Sequence, residues 1–408
     1  MSPSKENIKY GVMLNLYLAQ SIPMSFFATV LPVIMRENHF SLTSIGLIQL
    51  VKLPWLLKFI WAPLVDATQG KTKSYKKWIF GSELFYALAI FSVAFFDLQT
   101  DFKLIIILLL LAFTASATQD IATDAFSYLI LKKNERGTGG SVQTIGNFLG
   151  AVIGSGLLLI IYHYFRWKML IGALAIFVVL ALIPLWLYKP QQIQPTKKNI
   201  QKVKFRDLYR FFKQPYMKYR VAMLLLIYSG IIGILTMLKP WMVDLGYNIK
   251  EIGIYSGLIG PASGVFFAYL AGKLIKMKGH KYILKLLLVL FLFINIYFYL
   301  ISRQMPSYLL LQIGIISIWG TYSMTTVFVY AFLMDSIRAG REGTDFTLQI
   351  VLAHIGSLFI AVFSGKLSHV FGYSGLYFTG AVVSLILLII IPLLYKKSLQ
   401  YEISDRTF

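Results

Sequence analysis

Residues 104–131 read LIIILLLLAFTASATQDIATDAFSYLIL, 28 residues that are almost wholly apolar except for a polar centre holding Asp120 and Asp124. A bilayer core about 30 Å thick is crossed by about 20 apolar residues in a helix, so this stretch is a membrane span with two acids inside it. Comparable stretches flank it along the chain. They predict spans at 10–35, 44–66, 78–96, 104–131, 141–162, 167–188, 221–243, 252–272, 282–301, 307–334, 346–365 and 373–395. With 57% hydrophobic residues, 14% charged residues and a mean hydropathy of +0.69, the chain lacks the polar surface a soluble globule of 408 residues needs. The fold class is therefore an all-α polytopic membrane protein of twelve transmembrane helices. The first stretch, Tyr10 to Met35, is longer than a signal-peptide core and has no small-x-small cleavage end, which reads as a retained helix.

The net charge of +22 raises the question of nucleic acid, and the distribution of the charge answers it. Of 39 Lys and Arg, 28 fall in the segments on the side of the N-terminus and 7 in the opposite loops. That asymmetry is the positive-inside signature and puts both termini in the cytoplasm; basic loops of this kind also suit anionic lipid headgroups. No nucleic-acid partner is expected. Zero cysteines exclude disulfides, thiolate metal sites and cysteine nucleophiles, and no cofactor or metal is expected.

One boundary stands out: Tyr188 to Arg220 holds ten basic residues with Pro190, Pro195 and Pro215. It divides the chain into a six-span half at 1–188, a basic cytoplasmic linker at 189–220, and a second six-span half with a short tail at 221–408. The halves echo each other. Ile45-Gly46 and Pro54 match Ile252-Gly253 and Pro261 at an offset of 207, and Gly137-Thr138 with Gln143 match Gly343-Thr344 with Gln349 at an offset of 206. Two six-span halves with parallel repeats and a long central loop resemble the major facilitator plan, in which substrate binds between halves near the midplane.

Other energy sources and chemistries fit less well. Gly70-Lys71-Thr72 suggests a phosphate-binding loop, but the glycine the motif needs at 65 is Val65 and no strand precedes it. There is no H-E-x-x-H, and the five histidines, His39, His163, His280, His354 and His369, are far apart. Neither a metal hydrolase nor a lipid transferase is supported, and a non-transporting receptor has no positive sign. The chain is read as a transporter and not an enzyme.

Ionisable and polar groups inside spans are the informative ones, because each ionised group there is costly unless paired or hydrated. Asp120 and Asp124 are four apart, on one helical face. They read either as partners of a lysine that hold helices together or as a proton-coupling pair. Lys58 and Lys52 are the available cations, and their spacing of six residues forbids both from facing one partner. Glu83 enters the third span near the cytoplasmic side, where snorkelling to Lys77 accounts for it. Asp66, followed by Lys71, Lys73, Lys76 and Lys77, resembles a degenerate form of the facilitator signature after the second span. There Ala62 replaces the usual glycine and lysines replace arginines. A gating lock with Arg136 as partner is the expected role. Gln20, Gln143, Asn147, Gln349 and His354 occupy spans 1, 5 and 11, which face the central cavity in facilitator proteins, so each could bind solute or another helix. Trp241, Tyr322 and Trp319 could stack on an aromatic solute or sit in interfacial belts.

Two stretches sharpen the resemblance: Leu16-Tyr17-Leu18-Ala19-Gln20-Ser21-Ile22-Pro23 and Leu53-Pro54-Trp55-Leu56-Leu57-Lys58-Phe59-Ile60-Trp61-Ala62-Pro63-Leu64-Val65-Asp66. With Thr118-Gln119-Asp120-Ile121-Ala122-Thr123-Asp124-Ala125 and Glu135-Arg136-Gly137, they resemble the AmpG-type muropeptide permease clan, which includes acetyl-CoA transporters. Val142-Gln143 and Gly343-Thr344-Asp345-Phe346-Thr347-Leu348-Gln349 are similar to siderophore permeases of the rhizobactin and pyochelin type. An arginine-rich motif common in the muropeptide branch is absent after span 2. The resemblance implies a proton-driven importer of the bacterial inner membrane, acting on a fairly large solute and expected to be a monomer. A siderophore is the first expectation, with an anhydro-muropeptide or acetyl-CoA-type solute as alternatives. Lys58, Asp66, Gln119, Asp120 and Asp124 occupy the matching motif positions.

Overall fold

A computed structural model describes residues 3–37, 39–40, 48–67, 71–192 and 203–406, in which helices are joined by turns and no strand occurs. Ile45, Gly46 and Gly70, the first residues of the second expected span and the middle of the linker lie outside the described residues.

Among the described residues, six helical stretches are long and apolar enough to cross a membrane: Phe102–Ile130, Trp167–Leu187, Lys250–Lys278, His280–Ser302, Tyr308–Ser336 and Glu342–Leu399. The remaining expected spans are interrupted or more polar. The second is a succession of short turns, Ile48–Lys52, Leu53–Leu57, Lys58–Ile60 and Ala62–Asp66. Pro54 and Pro63 remove backbone donors there, so no uninterrupted ladder can form. The fifth and sixth spans, expected as separate, meet in one helix, Leu158–Leu180. The last two are joined through Gly372, whose φ of 70° turns the chain between helices without the penalty a side chain would bring.

Two compact units are formed. The first comprises Met1–Lys133, Ile145–Asp207 and Ile337–Thr347; the second comprises Asn134–Thr144, Leu208–Ser336 and Leu348–Phe408. Each thus includes a short segment from the other half of the sequence.

In the first unit the Pro3–Ser25 helix and the helix of Arg136–Val152 approach through small residues. A Cβ on Gly146 would stand 2.7 Å from that of Tyr17, and Gly150 and Gly154 face Ser21 and Ile22 in the same way. This is the small-residue spacing that lets membrane helices touch through their backbones. A buried apolar cluster, including Phe26, Phe27, Tyr86, Phe113 and Leu174, fills the unit beside them. In the second unit Lys250–Lys278 packs on the Tyr308–Leu333 helix, with Gly320 against the Phe267 ring and Gly260 against the Trp319 indole. Large apolar side chains such as Leu88, Phe95, Phe293 and Phe359 are exposed while Lys58, Glu83, Asp120 and Arg220 are buried. That inversion of the soluble pattern is what a lipid surround selects.

The internal repeat has a counterpart in packing. In the first unit a Cβ on Gly343 would lie 2.9 Å from Asp66 Oδ1. In the second unit Gly137 lies against Gly272 and Ile275. Positions 66 and 272, like 137 and 343, are separated by 206.

Candidate functional site

The polar groups of the first unit are sorted by the geometry of the Phe102–Ile130 helix. Asp120 points to the second span, where it pairs with Lys58, and both side chains are almost wholly buried. The break at Lys58–Ile60 makes this possible, since it turns Lys58 inward while Lys52 stays exposed. Lys58 Nζ also lies 4.9 Å from the centre of the Trp55 ring, a second stabilising contact for a buried cation. Gln20 Nε2 donates to Asp120 Oδ1 at 3.0 Å. One turn on, Asp124 accepts the Tyr17 hydroxyl at 2.8 Å. The two acids therefore have separate partners, both from the stretch 16–23 or 53–66 quoted above.

Gln119 turns to a different neighbour. It is fully buried beside Glu83 of the Thr72–Val93 helix. Glu83 itself departs from expectation: it has no exposure, and Lys77 is exposed. Six residues separate the two, which places them on different faces of the helix, and Glu83 lies about 16 Å along it from Thr72. Snorkelling to Lys77 is thus replaced by full burial. Asn147 accepts the Ser21 hydroxyl at 2.7 Å, binding the first and fifth spans together.

Asp66 is completely buried at the end of Ala62–Asp66. It accepts the backbone N–H of Gly343 at 3.0 Å and of Thr344 at 2.6 Å, and the Tyr75 hydroxyl at 2.6 Å. A helix start has unpaired N–H groups and positive dipole character, which suits a buried carboxylate. Glu342 Oε2 lies 3.0 Å from the same Tyr75 oxygen, and its Oε1 accepts the Gly340 N–H at 2.7 Å. The expected lysine partners do not take part: Lys71 and Lys73 are exposed. Nor does Arg136, which is held inside the second unit by Asp335 at 2.7 Å. The reason is desolvation, since bringing a hydrated ammonium to a buried acid costs more than presenting two backbone donors already in place. Arg338 grips Asp345 through two nitrogens, at 2.8 and 2.5 Å, and Arg341 reaches Asp207 at 3.2 Å. These contacts tie the segment before Glu342 to the linker.

In the second unit Asp335 joins Arg136 to His280, whose Nδ1 is 2.9 Å away. Gln349 is held by Arg220 Nε at 2.5 Å, and the Arg220 guanidinium also donates to the Phe332 carbonyl and lies 3.8 Å above the Phe332 ring. Arg220 was counted among the linker's basic residues in the sequence; its complete burial is visible only in three dimensions. Trp241 is packed against Phe298, Tyr373 and Tyr377 with ring centres 5.6 to 6.3 Å apart, and it serves as core. Tyr322 lies between Tyr228 and Trp319 at 5.9 and 6.1 Å. Gln143 is buried and His354 exposed. Asn295, which donates to the Gly230 carbonyl at 2.6 Å and to Ser384 at 3.3 Å, is a buried polar junction without a sequence signal.

Such arrangements, with ion pairs and amide bonds buried among membrane-length helices, are those of a polytopic membrane protein. The model of the Major Facilitator Superfamily matches residues 13–361, and the chain belongs to that superfamily of membrane transporters. It is similar to the anhydromuropeptide permease of Escherichia coli (strain K12), with 24% identity over 413 residues covering 96% of this chain and 80% of that protein. It is also similar to the putative transporter AmpG 2 of Rickettsia typhi, with 21% identity over 365 residues, 88% of this chain and 87% of that one. Among solved structures, the human organic anion transporter MFSD10 matches with a TM-score of 0.74 at 14% identity, over 96% of this chain and all of that one. The FucP transporter in its outward conformation matches with a TM-score of 0.69 at 14% identity, over 94% and 98%. The structures establish a shared fold.

Proposed function

We propose that this chain is a twelve-span secondary transporter of the bacterial inner membrane that imports an anhydromuropeptide, driven by protons. The observation that carries the solute is the end-to-end similarity to the Escherichia coli permease, spread over 96% of the chain. The siderophore expectation rested on two short stretches near Gln143 and Gly343; the relatives whose names state a solute favour the muropeptide alternative, and we adopt it.

Transport is alternating access between the two six-span halves. Lys58 and Asp120 form an internal switch: a carboxylate on the solute's peptide stem competes with Asp120 for the Lys58 ammonium. Gln20, Gln119, Gln143, Asn147, Gln349, Tyr322 and His354 remain solute-contact proposals, and Trp241 supports the wall from behind. Asp66 acts as the latch of the cytoplasmic gate through the helix start at Gly343 and Thr344. Its three hydrogen bonds join the end of span 2 to the segment before span 11. Opening that gate requires breaking them together.

The test is complementation. A bacterium deleted for its own anhydromuropeptide permease loses wall fragments to the medium, and expression of this chain is expected to return radiolabelled anhydromuropeptide to the cells. Restored growth on a ferric siderophore with no recovery of wall fragments would overturn the solute assignment.

A further inference from the structure

Besides Asp66 at the end of span 2, three carboxyls lie within the described spans of the first unit, and their surroundings differ in kind. Asp120 has the Lys58 ammonium and the Gln20 amide. Asp124 has the Tyr17 hydroxyl. Glu83 has no exposure and no ion-pair partner among the described residues, and the group that hydrogen-bonds it is the uncharged Gln119 amide. Around it stand three more buried polar groups, none of them charged. They are both amide atoms of Gln119 and the Ser116 hydroxyl on the Phe102–Ile130 helix, and the Tyr86 hydroxyl one turn along its own helix. Four buried polar side chains at one level of a helix pair, one of them a carboxyl with no ion-pair partner beside it, make a polar pocket inside an apolar span, where a charge without a counter-charge is costly.

An ionised carboxylate in such a place has nothing to balance it. The cost of an uncompensated buried charge exceeds that of binding a proton, so the neutral acid is the stable form. Asp120 is a different case, since it is paired with the Lys58 ammonium. A group that takes up and releases a proton as its surroundings change must be one that is not already neutralised by a fixed cation. The other groups facing Glu83 do not supply one. Gln119 and Ser116 are uncharged, and Tyr86 is a phenol. Two further helices pack on Thr72–Val93: Leu158–Leu180, whose titratable residues Tyr162, His163, Tyr164, Arg166 and Lys168 all precede Met169 in the sequence, and Leu182–Leu187, which has none.

We propose that Glu83, with Gln119, Tyr86 and Ser116, is a proton-binding site of the first unit, and that its proton is the one transported with the solute. Gln119 stands next to Asp120 in sequence, so one helix segment carries both the proton site's amide and the acid of the Lys58 pair. Shifting that segment to release Lys58 also changes what Glu83 meets. The inference rests on the proton-driven reading above and names the residue responsible for it.

The test uses purified full-length protein in lipid vesicles. Infrared titration reads the protonation directly, without any solute. The carbonyl stretch of a protonated buried carboxyl is expected in the wild type and expected to be lost in Glu83→Gln. Its persistence unchanged in Glu83→Gln would overturn the proposal. The second readout is accumulation of radiolabelled anhydromuropeptide under one pH unit of imposed gradient with the membrane potential clamped at zero. Cotransport of one proton gives about tenfold accumulation. Glu83→Gln is expected to reduce this to onefold while still exchanging labelled for unlabelled solute, and Glu83→Asp, which keeps a titratable group, is expected to retain accumulation with a displaced pH profile. Tenfold accumulation by Glu83→Gln would overturn the proposal and leave the proton-driven reading standing. Wild-type uptake that ignores the gradient would overturn proton coupling itself, and Glu83's part in it.

Discussion

At the scale of single residues, the Lys58–Asp120 pair is a buried ion pair of the first unit. Removing one partner leaves the other as an unpaired buried charge, at a cost of about 3–5 kcal/mol. Lys58→Met and Asp120→Asn are each expected to lose that much in unfolding measurements in detergent. The double variant is expected to recover much of it, because no charge remains buried. If the two single losses simply add, the side chains do not interact in the folded protein. The pair was partly legible in the sequence. Asp120 and Lys58 were marked as groups that oil tolerates only in company, and the helical spacing of Lys52 and Lys58 showed that only one could serve. The choice of Lys58 was not legible, because it depends on the turn at Lys58–Ile60. Glu83 was misjudged for a simpler reason: distance from the start of its span was read as nearness to water, whereas the side chain's face decides its burial. Arg220 was hidden by its neighbours, nine other basic residues in the linker that gave it the look of a solvated charge.

Among the elements, the start of the helix at Glu342 is the most constrained. A methyl group on residue 343 would stand 2.8 Å from Ile121 Cγ2 and 2.9 Å from Asp66 Oδ1. Gly343→Ala is therefore expected to destabilise the first unit by about 1–3 kcal/mol, the usual cost of overpacking. The chain has no cysteine, so a single cysteine introduced at buried Thr347 reports on this latch. Its labelling by a maleimide is expected to be faster in Asp66→Asn than in a chain with Asp66 intact, and equal rates would mean that Asp66 does not hold the helix start.

The linker contact behaves differently with pH. Burial alone would raise the Asp207 carboxyl, but the Lys204 N–H and the Arg341 guanidinium outweigh it and hold the group below the usual carboxylate range. A depressed folded value means that the stabilisation is complete above the unfolded value, about 3.9, and is lost as pH falls through the folded one. The Lys204 amide hydrogen, which Asp207 accepts, is thus expected to stay protected from exchange relative to its intrinsic rate at neutral pH and to lose that protection only in strong acid; loss already at pH 6 would contradict it. The glycine and threonine at 343 and 344 were visible in the sequence as one arm of the repeat, and Asp66 as a gating acid. The backbone donors that bind it were invisible, since no residue type announces a free N–H. Arg136 and the lysines after the span looked like the partners because sequence counts charge and omits the cost of stripping water from it.

For the whole molecule, the fold class and the membrane setting followed from hydrophobic runs, which are long-range composition and survive local error. Helix continuity followed only in part: the joined Leu158–Leu180 helix crosses a loop that hydropathy marks as a break, whereas the break expected between the last two spans falls at Gly372, whose backbone is not helical. Loop polarity reports where the bilayer ends, while helix geometry reports whether the backbone can continue, and only Gly372 records a change of direction. The basic asymmetry makes a topological prediction. Cysteines placed in turn at Lys71 and Lys204 are expected to react with a membrane-impermeant maleimide only after inverted vesicles are made, and one at Gln99 only in intact spheroplasts. The reverse pattern would invert the orientation.

The central claim is tested most directly by reconstituting the purified chain in vesicles, imposing an acidic exterior, and following radiolabelled anhydromuropeptide. Accumulation inside above the external concentration, abolished when the pH gradient is collapsed, is the result expected. Equilibration no faster than in protein-free vesicles, by a chain shown to be folded and correctly inserted, would contradict it.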